Sequence, residues 1–152
     1  MSLKSSSLIQ LMRATHEKGA GFRFKAKGFS MSPFIRDGDV LTVAKCSNSL
    51  TVGELAAFVR LDCQKLVVHR VVGTKDSCYI FKGDNVFSED GIVSSGNILG
   101  RVTRVERDGM DANFGVTNSC RFIALLSRYK LLPILLFLPR IFVRFRRSLN
   151  NE

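Results

Sequence analysis

Short β-prone runs recur along the middle of the chain at intervals of roughly ten residues, and this spacing constrains the fold more than any other feature. They are Phe22-Arg-Phe-Lys-Ala26, Val40-Leu-Thr-Val-Ala44, Leu55-Ala-Ala-Phe-Val59, Leu66-Val-Val-His-Arg-Val-Val72, residues 79–81 and residues 98–105. Turn signals stand between them at Arg36-Asp-Gly-Asp39, Ser47-Asn-Ser49, Lys75-Asp-Ser77 and Asp108-Gly109. No amphipathic helix intervenes, so parallel βαβ units are excluded and the pattern predicts an all-β, mainly antiparallel barrel or coiled sheet. Ahead of the strands, Leu8, Leu11 and Met12 sit at helical spacing behind a serine run, which predicts a short amphipathic helix over residues 5–18. With 152 residues, 45% hydrophobic and only three prolines, the chain holds one core and is neither disordered nor collagen-like. It contains no internal repeat.

The net charge of +10 is unevenly placed. Residues 1–30 carry +5 and residues 121–152 carry +6, whereas residues 31–120 carry −1. The basicity therefore belongs to the ends, and the three regions read as an N-terminal amphipathic helix (1–20), a β domain (21–118) and a basic-apolar segment (119–147). In the last, Leu131-Leu-Pro-Ile-Leu-Leu-Phe-Leu138 and Ile141-Phe-Val143 are interleaved with Arg128, Lys130, Arg140 and Arg144-Phe-Arg-Arg147. The uncharged run is short of the ~20 residues a spanning helix needs, and Pro133 and Pro139 would kink it. An apolar helical segment lying in the interface of an anionic membrane fits better, the alternative being short helices packed on the barrel. A nucleic-acid partner is not expected, because the central region is near neutral and has no aromatic-basic stacking platform. The N-terminus has no unbroken apolar stretch, so no export through it is expected. Cys46, Cys63, Cys78 and Cys120 lack any Cys-x-x-Cys spacing and are expected to be small buried thiols.

The residues that could carry chemistry fall in three places. Gly28-Phe-Ser-Met-Ser-Pro-Phe sets a serine, Ser30, between a glycine and a proline turn. Such a serine is either a turn residue or a nucleophile whose hydroxyl and N–H face one point. Of the two histidines, His16 lies among charged residues and is expected in solvent. His69 lies within a strand of valine and leucine, as a core histidine or as a general base. The acidic stretch Lys82-Gly-Asp-Asn-Val-Phe-Ser-Glu-Asp90 offers Asp84 and Asp90, either solvated or able to orient an imidazole. Its spacing does not match a calcium loop, and neither a metal nor a cofactor is expected.

Taken in order, Ser-Met-x-Pro, Gly-Asp, Gly-Glu, His-Arg-Val-Val, Lys-Gly-Asp-Asn with an aspartate six residues on, and Ile-Leu-Gly-Arg-Val resemble the signal peptidase I superfamily. The likeness is greatest to the endoplasmic-reticulum and archaeal branch, which uses histidine where the common bacterial enzymes use lysine. The resemblance covers residues 22–105 and implies Ser30 as nucleophile and His69 as general base. It matches Asp84 to the catalytic-site aspartate and Asp90 to the second acidic position. It also implies that Met31 packs beneath the nucleophile, that Pro33 sets the turn, and that the Ser30 N–H contributes to an oxyanion hole. Two departures stand out: Gly28 occupies a place where the family usually carries serine, and the family's N-terminal transmembrane helix has no counterpart here.

These readings imply a serine endopeptidase that cleaves a precursor peptide, bound as an extended strand, at an inner membrane of bacterial or archaeal type. The side of the membrane stays open. The alternatives are a catalytically idle peptide-binding module and a self-cleaving domain like the LexA-like repressors of the SOS response, for which Ala20-Gly21 would be the bond.

Overall fold

The computed structural model describes residues 5–112 and 120–129. The order of elements is α1 (Ser5–Glu17), β1 (Phe22–Lys25), β2 (Val40–Ala44), β3 (Leu55–Arg60), β4 (Lys65–Lys75), β5 (Cys78–Lys82), β6 (Glu89–Ser94), β7 (Ile98–Arg107), β8 (Met110–Asp111) and α2 (Cys120–Arg128). Every strand pair is antiparallel, and one sheet runs β1-β2-β7-β3-β4-β5-β6 with β8 paired to β7. The sheet coils into a half-barrel, the all-β architecture expected from the strand spacing. Register shifts between Thr42 and Val43, Ala57 and Phe58, Val71 and Gly73, and Ile80 and Lys82 supply the bends, since each extra residue sharpens local twist.

Coiling gives the sheet two buried faces. Leu55, Ala57 and Val59 of β3 point into a core with Met12, Met31, Leu41, Val43, Leu99, Val102 and Val105. The alternate residues Ala56 and Phe58 point into a second core with Leu50, Val71, Tyr79, Phe81 and Val93. A strand buried on both sides has no reason to alternate with polar residues, which explains the unbroken run in β3. Tight turns close the hairpins. Asp76 and Ser77 join β4 to β5, and Asp108 and Gly109 join β7 to β8. Each pair has two positive φ values, the conformation of a two-residue hairpin whose twist matches the strands.

Strands β6 and β8 were not expected. β6 buries only Val93 and begins in the acidic stretch, and β8 is two exposed residues, so neither shows an apolar pattern.

Two further expectations are corrected. His16 is buried, not solvated, with Nε2 3.0 Å from the Val43 carbonyl. It follows Met12 by one helical turn, and Met12 is itself wholly buried, so the core-facing side of α1 carries both. The cysteines are not uniformly buried: Cys63 is exposed in the β3–β4 loop, while Cys46 and Cys78 are half-buried.

α2 lies within the predicted C-terminal segment, while residues 130–147 fall outside the described residues. Among the described residues no helix is long and apolar enough to cross a membrane.

The turn that follows the nucleophile candidate is held by Asp39. Its carboxylate accepts hydrogen bonds from Arg107 Nε (2.9 Å), Arg107 Nη2 (2.7 Å) and the Arg36 N–H (2.8 Å). Burial opposes its ionisation, but the Arg107 and Arg36 interactions outweigh burial and hold the carboxyl below its ordinary 3.8. A depressed carboxylate stabilises the fold fully above its ordinary value and loses that contribution as pH falls through the depressed one. Asp39→Asn is therefore expected to cost about 2 kcal/mol at pH 7 and to flatten the loss of thermal stability below about pH 4. Unfolding curves of both proteins across acidic pH measure this.

Candidate active site

Ser30 sits on the loop that leaves β1, and the loop is fixed from below. Met31 is buried in the first core, the Ile35 N–H donates to the Met31 carbonyl at 3.0 Å, and the Ser32 N–H donates to the Phe29 carbonyl at 3.1 Å. The Ser32–Pro33 peptide is cis, within the turn expected at Pro33. Gly28 has φ +94°, a conformation that residues with a β-carbon avoid, and its N–H donates to Asp37 Oδ1 at 2.8 Å. A serine at this place would be strained in this loop, a physical reason for the departure from the expected pattern.

The three expected elements converge. Ser30 Oγ lies 2.9 Å from His69 Nε2, and His69 Nδ1 lies 2.5 Å from Asp90 Oδ2. His69 and Asp90 are both nearly enclosed. With the Nδ1 proton donated to Asp90, Nε2 is free to accept the serine proton, the arrangement that nucleophilic acyl transfer requires. Arg60 Nη1 reaches the other Asp90 oxygen at 3.4 Å. No acceptor among the described residues takes the Ser30 N–H, so it stays available to a developing oxyanion.

The two aspartates do different things. Asp84 meets no atom of Ser30 or the imidazole within hydrogen-bonding distance. Its oxygens take Arg70 Nε (2.9 Å) and Arg70 Nη2 (2.7 Å), and neither side chain of this pair has any exposed surface. Burial pushes the Asp84 carboxyl up, against the pull of the Arg70 guanidinium. Arg70 Nη1 also donates to the Gly53 carbonyl at 2.8 Å, and its guanidinium lies over the Phe34 ring. Asp90, the second acidic position, is the one that holds the imidazole.

Sequence reasoning passed over the residues that cradle the serine. The Asn85 N–H donates to the Ser30 carbonyl at 2.7 Å, and Asn85 Nδ2 donates to the Phe29 carbonyl at 3.1 Å. The Asp84 N–H faces the Met31 sulfur at 3.4 Å. A β-carbon on Gly83 would come within 2.8 Å of the Ser30 carbonyl and 3.0 Å of His69 Nε2. The Gly-Asp-Asn triplet carried the only signal for Gly83 and Asn85. Arg70 was legible only as a charge in an apolar strand that must find a buried partner.

A groove runs away from this point, bounded by β1 on one side and the first half of β4 on the other. Phe22, Phe24, Leu66 and Val68 floor it, and Leu8 and Leu11 of α1 wall it. β1 pairs with β2 alone, and residues 65–69 pair with β3 alone, so two open backbone edges border the groove among the described residues. At about 1120 Å³ it exceeds the ~300–1,000 Å³ typical of small-molecule pockets, which suits a length of peptide.

A serine hydroxyl, an imidazole and a carboxylate in hydrogen-bonded sequence beside a peptide-sized groove are the parts of a serine peptidase. The Peptidase S24-like family model matches residues 3–103, which take in all three groups, the whole of the second core and all of the first except Val105. The chain belongs to the Peptidase S24-like family, whose members are generally serine peptidases. No curated protein matches the chain.

Gly83→Ala is expected to displace the Ser30 carbonyl or the imidazole, since the obstructing atom is backbone. The variant should remain folded by circular dichroism while modification of Ser30 by a fluorophosphonate slows at least about tenfold. An unchanged rate would mean that the cradle does not position the serine.

Proposed function

We propose that this protein is a serine endopeptidase that cleaves a separate precursor peptide, in the manner of the histidine-using signal peptidases. Ser30 Oγ attacks the scissile carbonyl, His69 Nε2 takes its proton, and Asp90 stabilises the imidazolium that results. His69 then returns the proton to the leaving amine and activates the water that hydrolyses the acyl-enzyme. The Ser30 N–H donates to the oxyanion. The observation that carries this reading is the continuous relay from Ser30 through His69 to Asp90 at the end of a groove with two open strand edges. An extended peptide satisfies such edges with its own backbone, and the partly buried Phe24 and Val68 then meet alternate side chains.

Action on a separate chain is favoured over self-cleavage at Ala20–Gly21. Gly21 adjoins the start of β1, and Phe22, Arg23, Phe24 and Lys25 are each paired with β2. With ~3.3 Å per residue, the strand carries this bond well over 10 Å from its Ser30 end. Neither Ala20 nor Gly21 lines the groove. Self-cleavage there would require β1 to leave the sheet.

Fluorophosphonate labelling of Ser30 tests the mechanism. Ser30→Ala and His69→Ala are expected to abolish labelling, and Asp90→Asn to slow it by roughly 10³-fold or more by upsetting the imidazole tautomer. Asp84→Asn is expected to lower thermal stability and, by loosening the loop that cradles Ser30, to slow labelling less than Asp90→Asn does. Labelling that persists at the parent rate in His69→Ala would sink the proposal. Prolonged incubation of the purified chain is expected to leave its mass intact, whereas a fragment beginning at Gly21 would favour self-cleavage.

A further inference from the structure

Helix α2 turns one face to the sheet and the other outward. Ile123, Ala124 and Ser127 are buried. The Ser127 carbonyl accepts a hydrogen bond from the buried Lys82 Nζ, and Arg128 Nη1 reaches the Val72 carbonyl at 3.5 Å. The exposed positions are Arg121, Phe122, Leu125, Arg128 and Tyr129. Phe122 is 68%, Leu125 51% and Tyr129 66% exposed. The Tyr129 N–H donates to the Leu125 carbonyl at 3.1 Å, so the helical turn continues through it. At positions i, i+3 and i+7 the three large side chains form one stripe along the helix.

The composition of this face separates it from an ordinary solvated one. It holds arginine and large apolar residues, with no acid and no small polar residue. A helix face that meets only water carries mixed charge and polar side chains. Arginine beside phenylalanine, leucine and tyrosine is the composition of a helix that lies in a lipid interface, where rings enter the headgroup boundary and guanidinium groups meet phosphates.

We propose that this face of α2 docks on an anionic lipid surface. Phe122, Leu125 and Tyr129 enter the boundary between headgroups and acyl chains, and Arg121 faces the lipid phosphates, while the Arg128 guanidinium stays with the Val72 carbonyl. Charge complementarity argues for this occupant over others: from Arg121 onward the sequence carries seven basic residues and one acid, whereas residues 31–120 carry −1. The attachment also fixes an orientation. Lys82, which holds the Ser127 carbonyl, directly precedes Gly83, where the cradle of Ser30 begins. A docked α2 would thereby hold the candidate active site at a set distance from the lipid.

Sedimentation of the full chain tests this with vesicles of phosphatidylcholine alone and of phosphatidylcholine containing phosphatidylglycerol. The chain is expected to pellet with the anionic vesicles and much less with the neutral ones. A variant combining Phe122→Ser, Leu125→Ser and Tyr129→Ser should keep the parent's thermal unfolding, because all three side chains are exposed. Its partition into anionic vesicles is expected to fall at least about tenfold. The proposal is overturned if the parent does not pellet, or if the variant pellets as the parent does. It is equally overturned if the substitutions only dissociate a dimer of the chain without changing vesicle binding. Ser30→Ala is expected to pellet like the parent, so failure of the peptidase reading and failure of the docking are read separately.

Discussion

Arg70 and Asp84 meet in the interior with no exposed surface on either side chain, and the geometry of the candidate site depends on that meeting. Arg70 follows His69 on β4, and Asp84 stands between the two residues that cradle Ser30. The ion pair therefore joins the strand that carries the base to the loop that grips the nucleophile. The same guanidinium reaches the Gly53 carbonyl and the Phe34 ring, drawing in the β2–β3 connection and the turn beyond Ser30. A buried pair of this kind adds little net stability over an apolar replacement, but losing one partner strands a charge and typically costs 3–5 kcal/mol. Its contribution is to allow one arrangement of four segments and to penalise the others.

The coiled sheet supplies the second constraint. β4 changes partners halfway along, from β3 to β5, at Arg70. Its first half is left with an open edge, and His69 sits where that edge ends. β1 offers the other open edge and delivers the chain to Ser30. Open edges are usually a liability because they invite pairing with other chains. Here they border a groove that ends at a hydrogen-bonded serine and histidine, a setting in which strand pairing serves the proposed recognition of peptide.

Much of this was legible beforehand. Runs such as Val40-Leu-Thr-Val-Ala44 and Leu66-Val-Val-His-Arg-Val-Val72 announce strands because half-buried and fully buried strands demand β-branched residues. Dipeptides such as Asp108-Gly109 announce hairpins because only a few residues accept positive φ. β6 was not legible, since it begins in an acidic stretch and buries Val93 alone of its apolar residues. His16 was misjudged because its sequence neighbours are charged, while its burial follows from where α1 lies over Gly100 and Val43.

The sequence by itself determined that the chain is all-β and which residue types could perform acyl transfer, because strand patterning and side-chain chemistry are local properties. It brought forward one serine, one strand histidine and two aspartates, and could not apportion the aspartates from the residues alone. Only the tertiary structure divided them. His69 and Arg70 are adjacent on a strand, so their side chains leave on opposite faces, and each meets the aspartate on its own side, Asp90 at the start of β6 and Asp84 in the loop before it. Asp90 came to the imidazole and Asp84 to the guanidinium because of how an extended strand is pleated and where β6 and the loop before it lie against that strand, which no spacing in the sequence records.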